Sequence, residues 1–260
     1  MTGFVLKIIA LVFMLADHLG EFFPDVIPIG FRWLGRLSAP IFIFCVTESL
    51  IYTKNRKRYI LRLYIGSVIM ALGNISLNLI FPDATVPLLN NIFATLVLIT
   101  LIIYLLEQNK NRLVKLLLFS ALQIGVIVIS YTIITLIQDS NNLLSTVTFC
   151  YAIGGIFPNI LFCDGSLLWV ILGIFMYKLK EKRKAFIEMY IVFSLGQIIL
   201  TLSYGINEDV LLYTNYQWMM IGALPIILLY NGQRGKRIKQ FFYIFYPVHI
   251  WLLFMIANLR

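Results

Sequence analysis

The chain has 260 residues, is 60% hydrophobic and only 13% charged, and carries a formal net charge of +9. Soluble domains hold roughly twice that charged fraction, so a single water-soluble core is excluded, whereas a bilayer can accept this much apolar surface. The positive balance does not point to nucleic acid, because seventeen of the 21 Lys and Arg fall in four short clusters (54–62, 110–115, 178–184 and 234–239) that read as cytoplasmic loops beside anionic lipid.

A membrane-spanning helix needs about 20 mostly apolar residues, and lipid leaves no other regular choice for a chain without a barrel pattern. The first such segment is Phe4–Gly20, which lacks a basic leader and a small-residue cleavage site and is expected to stay as a helix. It ends in Asp17-His18. An ionisable group within the bilayer costs about 2.5–3.5 kcal/mol, and imidazole can take up and return a proton near neutral pH. His18 is therefore the leading candidate for chemistry. Asp17 does not share its helical face, since i,i+1 side chains diverge. It orients His18 only where the helix frays, and otherwise serves another partner. A pair that merely ends a helix is the plain alternative.

The second segment, Pro28–Thr53, carries Arg32 and Arg36. Four residues apart, they share one face and present two guanidinium forks suited to phosphate or carboxylate. Snorkelling to headgroups is the simpler role, more so for Arg32, which lies nearer the segment's start. Glu48 lies near the other end, beside the first basic cluster of Lys54, Arg56, Lys57, Arg58 and Arg62. Tyr59–Phe81, Val86–Leu106 and Leu113–Gln138 follow, the last closed by Asp139-Ser140-Asn141-Asn142. The sixth and seventh, Leu143–Phe162 and Leu167–Tyr177, enclose Gly154-Gly155, Pro158-Asn159 and Asp164-Gly165. Breakers at that depth predict a broken or re-entrant helix, with Asp164 a candidate cap. Ala185–Tyr204, Val210–Tyr230 and Phe241–Ala257 complete the set, and the last contains Tyr246-Pro247 and His249. A lone His at mid-membrane reads either as a site residue or as a hydrogen bond between helices.

The expected fold is all-α, a polytopic transmembrane helix bundle of about ten membrane segments forming one integral domain over 1–260. With all four basic clusters inside, the N-terminus is inside, and nine full crossings plus one partial one result. Ten full crossings with one basic loop outside is the alternative. Cys45, Cys150 and Cys163 form no paired framework or metal spacing. Two His without a clustered carboxylate set make a weak metal site, and no metal is expected. Intramembrane ionisable residues also mark permeation paths, so a transporter or flippase of an envelope component is the rival to an enzyme, with a membrane scaffold behind it.

Several stretches taken together resemble the TraX family: Leu6-Lys7-Ile8-Ile9-Ala10 with Met14-Leu15-Ala16-Asp17-His18, then 34–42, 52–63, 90–96 and 229–235, and finally Phe245-Tyr246-Pro247-Val248-His249. The resemblance runs in order from residue 6 to about 255. It departs at Ala71-Leu72-Gly73-Asn74-Ile75 and at Cys163-Asp164-Gly165-Ser166. It implies an integral membrane acetyltransferase of the bacterial cytoplasmic membrane, similar to the wider transmembrane acyltransferase superfamily. The donor substrate would be cytoplasmic acetyl-CoA. The acceptor would be a peptide such as a pilin N-terminus, or a cell-envelope glycan. His18 would be catalytic, with Asp17 and Arg36 beside it, and Arg32, Tyr246 and His249 would line the site. Lys54, Arg56, Lys57, Arg58 and Arg62 would hold the anionic end of acetyl-CoA, with the 234–239 cluster as the other possibility.

Overall fold

The structure, a computed structural model, describes residues 1–89, 91–137, 143–236 and 239–259. Asn90 of the fourth motif, the 138–142 turn and residues 237–238 of the last basic cluster lie outside the described residues. The described residues form helices and connections with no strand. The helices are α1 (Gly3–Phe22), α2 (Gly30–Gly35), α3 (Ser38–Ile51), α4 (Arg56–Ile80), α5 (Ile92–Leu106), α6 (Arg112–Ile137), α7 (Leu143–Ile156), α8 (Ser166–Lys178), α9 (Arg183–Leu202), α10 (Ala223–Leu228) and α11 (Lys239–Asn258). Six stretches are long and apolar enough to cross a membrane: Gly3–Phe22, Gly30–Ile51, Arg56–Ile80, Arg112–Leu136, Arg183–Leu202 and Gln240–Asn258. Four further apolar helices, Ile92–Leu106, Thr146–Ile156, Ser166–Lys178 and Gln217–Leu228, are shorter. The chain is thus a polytopic helical membrane protein, with ten apolar helical segments among its described residues.

Two of the expected segments are broken. α7 runs through Gly154-Gly155, which do not break it, and stops at Ile156; α8 begins at Ser166, so the break falls at Pro158-Asn159 and Asp164-Gly165. The ninth segment is a correction. Val210–Tyr230 reads as one apolar run, yet it folds as a π turn at Val210–Thr214, a 3-10 turn at Gln217–Gly222 and only then α10. Side chains take up the carbonyls that this irregular backbone bares. Trp33 Nε1 donates to Leu212 O at 2.8 Å, Trp218 Nε1 to Leu211 O at 3.0 Å, Thr201 Oγ1 to Asn215 O at 3.1 Å, and Tyr190 OH to Met220 O at 2.7 Å. α5 also starts later than expected, at Ile92, where Asn91 caps it by accepting from Ala94 N.

Contacts divide the chain into two compact units, Met1–Ser49 with Phe175–Arg260, and Leu50–Ile174. In the first unit, Leu6, Ala10, Met14 and His18 recur every four residues along the buried face of α1. The start of α1 is tied to the loop before α11, because Gly3 N donates to Gln233 O at 2.7 Å and Phe4 N to Arg234 O at 3.0 Å. Glu48 lies at this end too, bonded to Tyr230 and beside Lys180. The other end of the unit holds Asp17, Glu21, Arg32 and Arg36.

In the second unit α5 is buried almost all round, from Phe93 to Leu105, as a helix without a polar face should be. The break after α7 is satisfied from within. Gln123 Nε2 donates to Pro158 O, Ile160 N donates to Gln123 Oε1, and Asn159 Nδ2 donates to Gln123 O, each at 2.9 Å. Thr95 Oγ1 donates to the carbonyl of Asp164 at 2.8 Å. Gly165, at φ +67°, lies under Trp169, and any Cβ there would fall on the indole.

Candidate active site

Asp17, His18 and Glu21 occupy the last two turns of α1. α1 stays helical to Phe22, so the fraying that would let Asp17 orient His18 does not occur. Asp17 turns instead to α2 and the elbow behind it. Both of its oxygens accept from Arg36 Nη2 at 2.5 Å, and Oδ1 lies 3.0 Å from Arg32 Nη1. Arg32 Nη1 also donates to Glu21 Oε2 at 2.8 Å and to the Asp17 carbonyl at 3.1 Å. Two carboxylates and two guanidinium groups therefore neutralise each other in one cluster. Arg32 does not snorkel: its side chain is 19% exposed, close to the 21% of Arg36.

Glycines make this approach possible. A Cβ on Gly35 would sit 2.2 Å from Asp17 Cβ, and one on Gly20 would meet Arg32 Cγ at 3.0 Å. The irregular ninth segment supplies the rest of the rim. Tyr216 OH accepts from Arg32 Nε at 3.1 Å, and its ring lies under the Arg36 guanidinium, 5.3 Å away. Gln217 Oε1 accepts from Arg36 Nη1 at 3.3 Å, while Gln217 Nε2 is buried without a hydrogen-bond partner.

His18 faces inward and is 5% exposed; His249, on α11, is 6% exposed. His18 Nδ1 and His249 Nε2 are 2.9 Å apart, joining residues 231 positions distant in the chain. His249 Nδ1 lies 2.7 Å from the carbonyl oxygen of Phe245. Pro247, between them, removes a backbone donor from that turn of α11. Phe245 stacks on the His249 ring at 4.8 Å, and buried Tyr246 meets it edge-on at 5.9 Å. Ligating atoms of Asp17, His18 and Glu21 come within 4.8 Å of one another. Both carboxylates are held by arginines, so the set does not fit a cation without dismantling those pairs.

The first unit thus unites six of the sequence-derived candidates: Asp17, His18, Arg32, Arg36, Tyr246 and His249. Glu21, Tyr216 and Gln217 are members that the sequence reading did not single out. The remaining candidates belong to the second unit. Lys54, Lys57, Arg58 and Arg62 are exposed around the start of α4, which Asn55 caps by accepting from Arg58 N. Arg56 is paired with Glu107, and the Arg62 guanidinium lies over Tyr59.

The fold and this cluster define a polytopic integral membrane protein with two buried imidazoles beside a largely shielded four-charge cluster at one helix end. Comparison with known proteins gives the family: residues 2–257 match the family described as TraX protein. The chain belongs to the TraX family. It is also similar to a probable fimbrial assembly protein FimC, serogroup H1, of Dichelobacter nodosus, at 25% identity over 274 residues, covering 97% of this chain and 94% of that protein. No solved structure matches the chain significantly.

Proposed function

We propose that this protein is an acetyltransferase of the bacterial cytoplasmic membrane, with its N-terminus inside, that moves an acetyl group from cytoplasmic acetyl-CoA to an amine or hydroxyl of an acceptor. The observation that carries this reading is the buried His18–His249 pair beside a charge-neutral Asp17–Arg36–Arg32–Glu21 cluster. A group meant only to end a helix has no need of a second imidazole. His18 is the general base on the acceptor, or the transient acetyl carrier. Arg36 retains N–H capacity on Nη1 beyond its bond to Gln217, and the free amide of Gln217 adds a buried donor. Together they would stabilise the oxyanion of the tetrahedral intermediate.

Exposed basic residues support a binding place for the anionic end of the donor. Lys54, Lys57, Arg58 and Arg62 are free to meet the phosphates of CoA, more so than Arg56, which Glu107 occupies. Arg234 and Lys236, beside the start of α1, are the alternative anchor. From there the thin arm of the donor has about 22 Å to cover to reach His18 along α1. The relative's name suggests a subunit of a surface fibre as acceptor class, with an envelope glycan second. The test is incubation of purified protein with labelled acetyl-CoA and a membrane extract. Label should appear on His18 or on an acceptor, and His18→Ala, folded and inserted, should transfer none. Near-normal transfer by that variant overturns the role given to His18, and the absence of label from both His18 and any acceptor with the parent protein overturns the activity.

A further inference from the structure

Building on that reading, we infer that His249 is a positioning residue that fixes the tautomer of His18 and makes Nε2 of His18 the reacting atom. A carbonyl oxygen can only accept a hydrogen bond. Its 2.7 Å contact with Phe245 O therefore places a proton on Nδ1 of His249. A neutral imidazole carries one N–H, so Nε2 of His249 is bare and must accept. The 2.9 Å contact then requires Nδ1 of His18 to be the donor. In the neutral pair this leaves Nε2 of His18 with a lone pair and no proton. One backbone carbonyl thus dictates the state of a nitrogen two rings away.

The consequence is chemical. Removal of a proton from the acceptor uses the Nε2 electron pair, and so does formation of an N–C bond to the acetyl carbon as the C–S bond breaks and thiolate departs. Either event puts positive charge on the His18 ring. The Nδ1 proton can then move along its hydrogen bond to Nε2 of His249. In the carrier mode this leaves a neutral N-acetylimidazole on His18 and a protonated His249. The proton passes on to the departing thiolate, giving CoA thiol. His249 itself is not the carrier, because both of its nitrogens are engaged.

The chain contains two histidines, so nitrogen NMR of ¹⁵N-histidine-labelled protein in nanodiscs reads each ring directly. Expected are a protonated Nδ1 and bare Nε2 on both rings, with a through-hydrogen-bond coupling between His18 Nδ1 and His249 Nε2. A protonated Nε2 on either ring overturns the inference whatever the activity shows. In His249→Phe, His18 should lose its fixed tautomer and transfer should fall by about 10²-fold, the lower range for a misplaced proton-transfer group. His249→Gln, whose amide oxygen can still accept from Nδ1, should restore the His18 tautomer and recover part of the rate. Full activity in His249→Phe overturns the inference. The expected spectra together with no acetyl transfer by the parent protein would leave the tautomer standing and remove the acetyltransferase reading instead.

Discussion

Arg36 grips both carboxylate oxygens of Asp17 at 2.5 Å, from nineteen residues along the chain. The pair joins the end of α1 to the elbow between α2 and α3. Its side chains are only 21% and 16% exposed, so water can replace little of what either partner would lose. Removing one charge leaves the other buried and under-compensated.

Arg36→Gln should therefore lower stability by about 1–3 kcal/mol, the cost of leaving a buried charged acceptor partly unmet. Asp17→Asn should cost a similar amount. The double variant should cost clearly less than the two singles together, because the orphaned partner has been removed as well. Thermal unfolding of the four proteins in one detergent measures the cycle. Simple additivity would mean that the two residues do not act as a pair.

The closeness of α1 and α2 has its own signature. A Cβ at Gly35 would stand 2.2 Å from Asp17 Cβ and 2.4 Å from its Cγ and Oδ1. Only a shift of α2, or of the carboxylate that Arg36 holds, could make room. Gly35→Ala should cost about 1–3 kcal/mol as overpacking and should impair acetyl transfer. Gly20→Ala meets only the flexible Cγ and Cδ of Arg32, at 3.0 and 3.1 Å, and should be much milder. Equal melting points and rates for the two variants would contradict this packing.

Much of this site could be read from local spacing. Asp17 and Glu21 stand four residues apart on one helix, and Arg32 and Arg36 four apart on the next. Two such rows of opposite charge match ridge to ridge. The arginine row and the unusual His18 stand out in the sequence by themselves; Glu21 becomes significant only through its pairing with Arg32. The 157–165 break was legible from Pro158-Asn159 and Asp164-Gly165, whereas Gly154-Gly155 lie inside α7 and do not interrupt it. The irregular 210–222 stretch was not. Its residues are apolar enough for a span, and the turns hold because Trp33, Tyr190 and Thr201, distant in sequence, take its carbonyls. The His18–His249 contact likewise depends on how α1 meets α11, which no periodicity reports.

Gln123 tests how the second unit tolerates its break. It is 7% exposed on α6, a helix whose other faces carry many exposed apolar side chains. Its amide donates to Pro158 O and accepts from Ile160 N. At membrane depth no water replaces those partners. Gln123→Leu should destabilise the protein by about 1–3 kcal/mol for each group left unmet. Gln123→Glu keeps the acceptor for Ile160 and should fall between the two. A leucine variant that melts with the parent would show that the 157–165 stretch is satisfied in another way.

Gln217 offers the sharpest functional test of the rim. Its Oε1 is fixed by Arg36, which assigns the free end of the amide as Nε2, a buried donor with nothing to bind. Leaving such a donor unmet costs about 1–3 kcal/mol, a cost that a developing oxyanion would relieve in the transition state. Loss of one such donor typically lowers kcat by about 10²–10³-fold. If the proposed acetyl transfer uses this N–H only as charge develops on oxygen, KM for the donor should stay nearly constant while kcat falls. Gln217→Glu retains an oxygen for Arg36 but loses the N–H pair, and Gln217→Leu loses both. Both should show the kcat defect, and only the leucine variant should also disturb Arg36 and lower the melting point. Steady-state acetyl transfer measured against donor concentration separates these effects. A full kcat in Gln217→Glu would remove this amide from the proposed chemistry.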